Sequence, residues 1–210
     1  MKTNPFEVVD MFEKALAEFT GAPYVVTTTS CTEALFLCLK YFKNEGLYPE
    51  TNKITIPART YVSVPQSILQ AGYDLGFEDI KWEGVYQLKP LEVYDAAKRL
   101  KKDMYIPRSI MCLSFHHKKL LKIGKGGCLL LDSKSDAEAL KRLRYEGRTQ
   151  QIPYHEDIIL RGGYNMYMTP EQAARGLTLL WDHPEDSPDL VENPPYRDLR
   201  TFEFVKQNAS

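Results

Sequence analysis

No apolar run in this sequence approaches the roughly 20 residues needed to cross a bilayer. The opening Met1-Lys2-Thr3-Asn4-Pro5 lacks the apolar centre of a secretion signal, so the expected location is the cytoplasm. Charge of one sign is not in excess: 27 basic side chains face 28 acidic ones, and no global field draws the chain toward nucleic acid or an anionic membrane. Cysteine is scarce and never closely paired. Cys31, Cys38, Cys112 and Cys128 stand singly among apolar or small neighbours, without the spacing of zinc or redox motifs, and are expected as reduced, mostly buried thiols. His116 and His117 are adjacent, not three or four apart as two ligands on one helix face would be, and no metal site is expected.

What remains is the composition of an ordinary folded protein, with 43% apolar and 26% charged residues in 210, enough for one good core. Val8, Val9, Phe12, Ala15, Leu16 and Phe19 recur at helical spacing before Gly21 and Pro23, which predicts an opening amphipathic helix. Tyr24 to Thr27 reads as a strand, followed by capping hydroxyls at Thr28, Thr29 and Ser30 and a helix through Tyr41. The alternation continues with a strand at Lys53–Pro57, a cap at Thr60 or Ser63, a helix over 64–70 and a strand over 73–77. Further strands are expected at 92–94, 109–114 and 127–131, with helices at 136–144 and 170–180. Such alternation predicts an α/β fold with a mostly parallel sheet. After Trp181 the chain turns acidic and proline-rich and reads as a loop or arm, with one short helix or strand within 197–205.

In an α/β sheet a ligand sits beyond the carboxyl ends of the strands, where helix N-termini present free N–H groups to an anion. The turn Ser30-Cys31-Thr32-Glu33 has that form, and it also has the form of a simple helix cap. Ser114-Phe115-His116-His117-Lys118-Lys119 ends a strand at a hydroxyl, places lysines after a short turn, and leads to Gly124-Lys125-Gly126-Gly127. A lysine that forms imines must spend time neutral, which burial or a neighbouring cation promotes; Lys118, Lys122 and Lys125 could supply that company to Lys119. A solvated basic loop is the competing reading.

With Tyr94-Asp95-Ala96-Ala97 placed before that lysine, the sequence resembles the PLP-dependent sugar aminotransferases of the DegT/DnrJ/EryC1/StrS type, which have the aspartate aminotransferase superfamily fold. The resemblance runs from about Phe6 to Gly176. It is carried by ordered blocks at 30–35, 56–62, 95–97, 114–127, 143–148 and 163–168. It implies a three-layer α/β/α large domain of fold type I and pyridoxal 5'-phosphate as cofactor. It also implies amino transfer from an amino acid such as glutamate to a keto-sugar nucleotide. Carried over by position, it implies that Lys119 holds the cofactor as a Schiff base and Asp95 contacts its pyridine nitrogen. Tyr61 would stack on the ring, and Cys31, Thr32 and Ser114 would cradle the phosphate. Asn165 would reach the phosphate of a neighbouring subunit, implying a homodimer with shared sites. A core tyrosine and a turn asparagine are the plainer readings of Tyr61 and Asn165.

The sequence departs from that family in length. Trp82 to Leu91 is too short for the strand–helix crossover expected before Asp95, and only residues after 181 stand where a C-terminal small domain would follow. The expected organisation is a PLP-binding domain over 1–181 and an arm, or remnant of the small domain, over 182–210. Lys98 and Tyr167 also depart from the pattern; Lys98 is expected either to pair with Asp95 or to face solvent. Three other functions stay open on the sequence: a reduced PLP-binding protein without turnover, another PLP reaction on a sugar nucleotide such as dehydration, and an anion- or nucleic-acid-binding module built on the basic loop, against which the near-neutral charge counts.

Overall fold

A computed structural model describes residues 4–48 and 50–208. Met1–Thr3, the head of the expected first domain, and Ala209–Ser210, the end of the expected arm, lie outside the described residues.

Helix α1 spans Glu7–Thr20 and stops at Gly21, whose φ of 76° in the left-handed region is natural to glycine. Strand β1 (Tyr24–Thr28) leads through Ser30, whose hydroxyl accepts from Glu33 N, into α2 (Cys31–Asn44). Next come β2 (Lys53–Pro57), α3 (Ser63–Ala71) and β3 (Asp74–Glu78). Neither expected cap serves α3, whose N-cap is Val62 with no side-chain hydrogen bond. The Thr60 hydroxyl donates instead to Tyr86 Oη at 2.8 Å, and Ser63 Oγ meets Thr32 Oγ1 at 2.8 Å. The chain continues through β4 (Tyr86–Gln87), β5 (Val93–Asp95), β6 (Ile110–Ser114), β7 (Gly127–Leu131), α4 (Lys134–Leu143) and α5 (Pro170–Trp181). The start of α5 is fixed by a capping box between Thr169 and Gln172.

The strand order is β1-β7-β6-β5-β4, with β2-β3 as a separate pair. The three-layer α/β/α architecture is as expected, with the sheet mixed rather than mostly parallel. Of the five-stranded sheet's ladders only β5–β6 is parallel, while β1–β7, β6–β7 and β4–β5 are antiparallel. The connections give the reason. A parallel crossover needs a helix-length excursion, whereas the loop between β6 and β7 closes on itself through Phe115 N→Gly126 O and Gly124 N→Phe115 O. Between β4 and β5 the chain makes only a tight turn, with Leu88 N donating to Val93 O. The expected lost crossover is thus replaced by a two-residue strand. Thr55 and Lys89 exchange two backbone hydrogen bonds (2.8 and 3.0 Å) that tie β2 to this segment.

Side-chain alternation along the strands separates two cores. Cys112, Leu129 and Leu131 face α2, α3 and α4, where Leu35, Ile68 and Leu140 are buried. Met111, Leu113, Cys128 and Leu130 face α1 and α5, where Phe12, Leu16 and Ala173 are buried. All four cysteines are buried thiols.

One charged cluster is enclosed at the junction of α1, β1 and α4. Arg144 is fully buried and donates to Glu13 Oε1 (2.6 Å), Thr27 O (2.5 Å) and Gln150 Oε1 (3.1 Å). Lys141 Nζ stands 2.6 Å from Glu13 Oε2. Burial pushes the Glu13 carboxyl up, but Arg144 and Lys141 more than offset it and hold it below its ordinary value.

After Trp181 the chain runs back across the sheet's carboxyl-end edge. Arg99 donates to Asp189 through Nε (2.9 Å) and Nη2 (2.5 Å), and Leu190 N donates to Lys98 O. A 3-10 turn, Leu199–Thr201, and helix α6 (Glu203–Asn208) then dock, with Leu199 and Val205 buried in the α2/α3 core. The short element expected within 197–205 is thus present as this turn and the first residues of α6, packed against the body.

Candidate active site

The strand ends converge on one cavity of about 400 Å³, within the range of roughly 300–1,000 Å³ typical of small-molecule and cofactor sites. Six of the seven residues singled out in the sequence line it: Cys31, Thr32, Tyr61, Asp95, Ser114 and Lys119. Asn165 does not; it is exposed and donates to Glu146 Oε1 at 2.8 Å.

Each wall follows from local structure. Cys31 and Thr32 are the first two residues of α2, and their N–H groups have no intrahelical acceptor. The cysteine contributes only its backbone here, since burial raises its thiol well above the ordinary value and Sγ points to Cys112 O at 3.6 Å. Ser114 closes β6 opposite Gly127, the first residue of β7. A side chain at Gly127 would stand 2.4 Å from Cys31 N and 2.5 Å from Ser30 C, so glycine is what lets the α2 turn lie against the start of β7. Lys119 sits on the loop after Ser114, in a turn closed by its own N–H to His116 O (2.8 Å) and anchored beneath by buried Phe115, Leu121 and Ile123. Lys118 and Lys125 of that loop also line the cavity; Lys122 does not.

Asp95 ends β5 and is 5% exposed. Its Oδ1 accepts from Ala97 N (2.9 Å) and its Oδ2 from the Tyr86 hydroxyl (2.8 Å), which in turn accepts from Thr60. Burial raises the Asp95 carboxyl above the usual range, opposed by these two donors and by Lys119 and Lys98. Each oxygen keeps a free lone pair, so the carboxylate is oriented without being saturated.

The sequence reading missed the other side of the cavity. Trp82, Leu190, Glu192 and Tyr196 close it, with Tyr196 edge-on to Tyr61 (6.3 Å between centroids) and nearly parallel to Trp82 (12°, 6.4 Å). Lys98 neither pairs with Asp95 nor faces solvent: its ammonium lies 4.8 Å from both the Trp82 and Tyr196 rings. Tyr167 does not line the cavity and packs edge-on to Phe6 and Tyr145. The available signal was aromatic, namely Trp82 and Tyr86 in a segment otherwise too short for the expected crossover.

With four lysines around two carboxylates, a helix N-terminus and a hydroxyl, the cavity suits an anionic ligand with a planar part. The chain belongs to the DegT/DnrJ/EryC1/StrS aminotransferase family, whose sequence profile matches residues 2–103 and 107–184. It is 38% identical over 85 residues to the spore coat polysaccharide biosynthesis protein SpsC of Bacillus subtilis, a stretch covering 40% of this chain and 21% of SpsC. Its fold is similar to that of Helicobacter pylori PseC, an aminotransferase involved in the biosynthesis of pseudoaminic acid, with TM-score 0.67 and 20% identity over 88% of this chain and 64% of PseC. It is likewise similar to a Bacillus cereus protein described as a putative PLP-dependent aminotransferase, with TM-score 0.68 and 18% identity over 84% and 59% of the two chains. The chain therefore spans about three fifths of the length of these solved structures.

Proposed function

We propose that this cavity holds pyridoxal 5'-phosphate attached to Lys119, and that the chain moves an amino group from an amino acid, glutamate in the simplest case, to a keto-sugar nucleotide. The observation that carries this reading is the convergence of Lys119, Asp95 and the α2 N-terminus on one cavity from three separate stretches of sequence. The donor set fits the cofactor. Two free N–H groups and the Ser114 hydroxyl suit a phosphate, and the space a Cβ at Gly127 would fill is what keeps them together.

When bound, the cofactor supplies a carbonyl carbon for amine exchange and a protonated ring that accepts electrons. Lys119 Nζ would hold it and, when free, would take the proton from Cα of the amino acid and return one. Asp95 would keep the ring nitrogen protonated, and Tyr86 and Ala97 N hold that carboxylate in place. Tyr61, 55% exposed at the cavity edge, is positioned to cover a ring. Asn165 lies outside its own cavity and exposed, which supports a role toward a second copy in a homodimer with shared sites.

Purified chain incubated with pyridoxal 5'-phosphate should develop near-ultraviolet or visible absorbance. Borohydride should fix the added mass on the Lys119 peptide, and Lys119→Ala should abolish it. Glutamate should then shift the spectrum. Mass fixed on another lysine would overturn the assignment of Lys119, and a spectrum indifferent to a panel of amino acids would reduce the chain to a binding protein without turnover.

A further inference from the structure

Lys98 has no part in the chemistry above, yet it lines the same cavity with its side chain only 10% exposed. An ammonium has three donors to satisfy, and among the described residues none of them finds an acceptor within hydrogen-bonding distance. The single carboxylate within 4 Å is that of Glu192, whose Oε2 stands 3.8 Å away, beyond hydrogen-bonding reach. The Trp82 and Tyr196 rings hold the charge by its attraction to their faces. Burial lowers the Lys98 pKa, with Glu192 opposing. The ammonium lines the open volume of the cavity without a protein hydrogen bond, so an anion entering there meets free donors between two aromatic faces.

Glu192 reaches Lys98 from a segment pinned elsewhere. On one side Arg99 grips Asp189; on the other Arg200 and Arg59 link Asp198 to Asp79. The Glu192 side chain is 39% exposed, so it can turn outward while both anchors hold, and its departure breaks no hydrogen bond of Lys98.

We propose that Lys98 recognises an anionic group of the substrate, carboxylate or phosphate, and that Glu192 is its resting counter-ion, displaced when that anion enters. This rests on the reading that the cavity takes an amino acid and a nucleotide sugar, both of which carry such groups. Lys98 is then a specificity residue, and Glu192 sets how strongly competing anions are admitted.

Trp82 reports directly, because the chain has two tryptophans and the other, Trp181, is 89% exposed and replaceable by phenylalanine. In the full chain carrying Trp181→Phe, Trp82 fluorescence is titrated with glutarate and, separately, with uridine diphosphate. Lys98→Met should weaken binding of at least one probe about tenfold or more, the worth of a charged hydrogen bond. Glu192→Gln should tighten the same probe several-fold by removing the competing charge. Loss confined to glutarate identifies the amino donor's carboxylate as the natural ligand, and loss confined to uridine diphosphate identifies the acceptor's phosphates. Unchanged affinity for both probes in Lys98→Met, or no tightening in Glu192→Gln, overturns the proposal; should Lys98→Met not fold, Glu192→Gln decides alone. Borohydride mapping is run on the same samples. No mass on Lys119 with the Lys98 dependence intact defeats the cofactor reading only, whereas mass on Lys119 with anion binding indifferent to Lys98 and Glu192 defeats this inference only.

Discussion

The two sides of the cavity are built by different physics. The inner wall, made of the ends of β5, β6 and β7 with the α2 turn, is held by backbone ladders and by two apolar cores on either face of the sheet. The outer wall, residues 190–196, belongs to a stretch without regular structure, pinned by Arg99–Asp189 on one side and by the exposed Arg59, Arg200, Asp79 and Asp198 group on the other. Packing fixes positions to a fraction of an ångström and tolerates little change. The exposed Arg59–Asp79–Asp198–Arg200 group fixes its end of the outer wall loosely and yields to salt, whereas Arg99 grips an Asp189 carboxylate only 6% exposed. The groups assigned to covalent chemistry lie on the first wall, and Glu192, assigned to controlling which anions enter, lies on the second.

That contrast can be broken most severely at Arg144. Arg144→Met should destabilise the fold by about 3–5 kcal/mol, because it leaves Glu13 enclosed with one of its two cations gone; urea denaturation measures it. The effect has a pH signature. In the parent, the Glu13 carboxyl lies below its ordinary value, so the stability it contributes is full above that value and is lost as pH falls through the lowered one. In the variant burial prevails and lifts the carboxyl above its ordinary value, so the slope reverses: ionised Glu13 destabilises the fold, stability falls as pH rises through that range, and acidification relieves part of the cost.

Gly127→Ala should come next. Its methyl would meet Cys31 N and Ser30 C, which are backbone and cannot swing aside. A cost of about 1–3 kcal/mol in stability should accompany weakened retention of pyridoxal 5'-phosphate, read by equilibrium dialysis. Normal retention would mean that the α2 turn does not cradle the phosphate.

Tyr86→Phe sharpens the comparison within the inner wall. Loss of one hydrogen bond to a buried carboxylate should cost about 1–3 kcal/mol, and it removes a donor that favours the ionised form of Asp95. Burial already raises that carboxyl, so the variant should release cofactor on acidification at a higher pH than the parent; coincident pH curves would separate Tyr86 from Asp95.

The smallest effect belongs to the outer wall. Arg200→Ala should leave the melting temperature nearly unchanged while speeding limited proteolysis within 182–198, and added salt should do the same to the parent. A large drop in melting temperature would show that this wall is structural after all.

Much of the inner wall was legible in the sequence because its signals are local. Lys53–Pro57 and Gly127–Leu131 are strands with the very bounds their apolar runs suggest, and Ser30 caps α2 as its hydroxyl predicts. The direction of the strands was less legible, since it is set by whether a connection contains a helix, and the loop carrying Lys119 does not. The two-residue β4 has no periodicity to read. The environment of Lys98 was invisible for another reason: Glu192 and Tyr196 lie some ninety residues away in a stretch whose prolines and acids suggested only a loop. Asn165, which the resemblance assigned to a neighbouring subunit, falls outside the cavity of its own chain.

The bridge between Thr55 and Lys89 has a consequence for how the molecule opens. It is the seam between the β2–β3 pair and the remaining sheet, so few backbone hydrogen bonds must break for that pair, with α3, to come away as one unit. Partial unfolding follows such boundaries. Amide hydrogens of β2 and β3 should therefore exchange with solvent through a lower-energy excursion than those of β6 and β7, which native-state hydrogen exchange measures, with Lys119 and Ser114 on the side that stays folded.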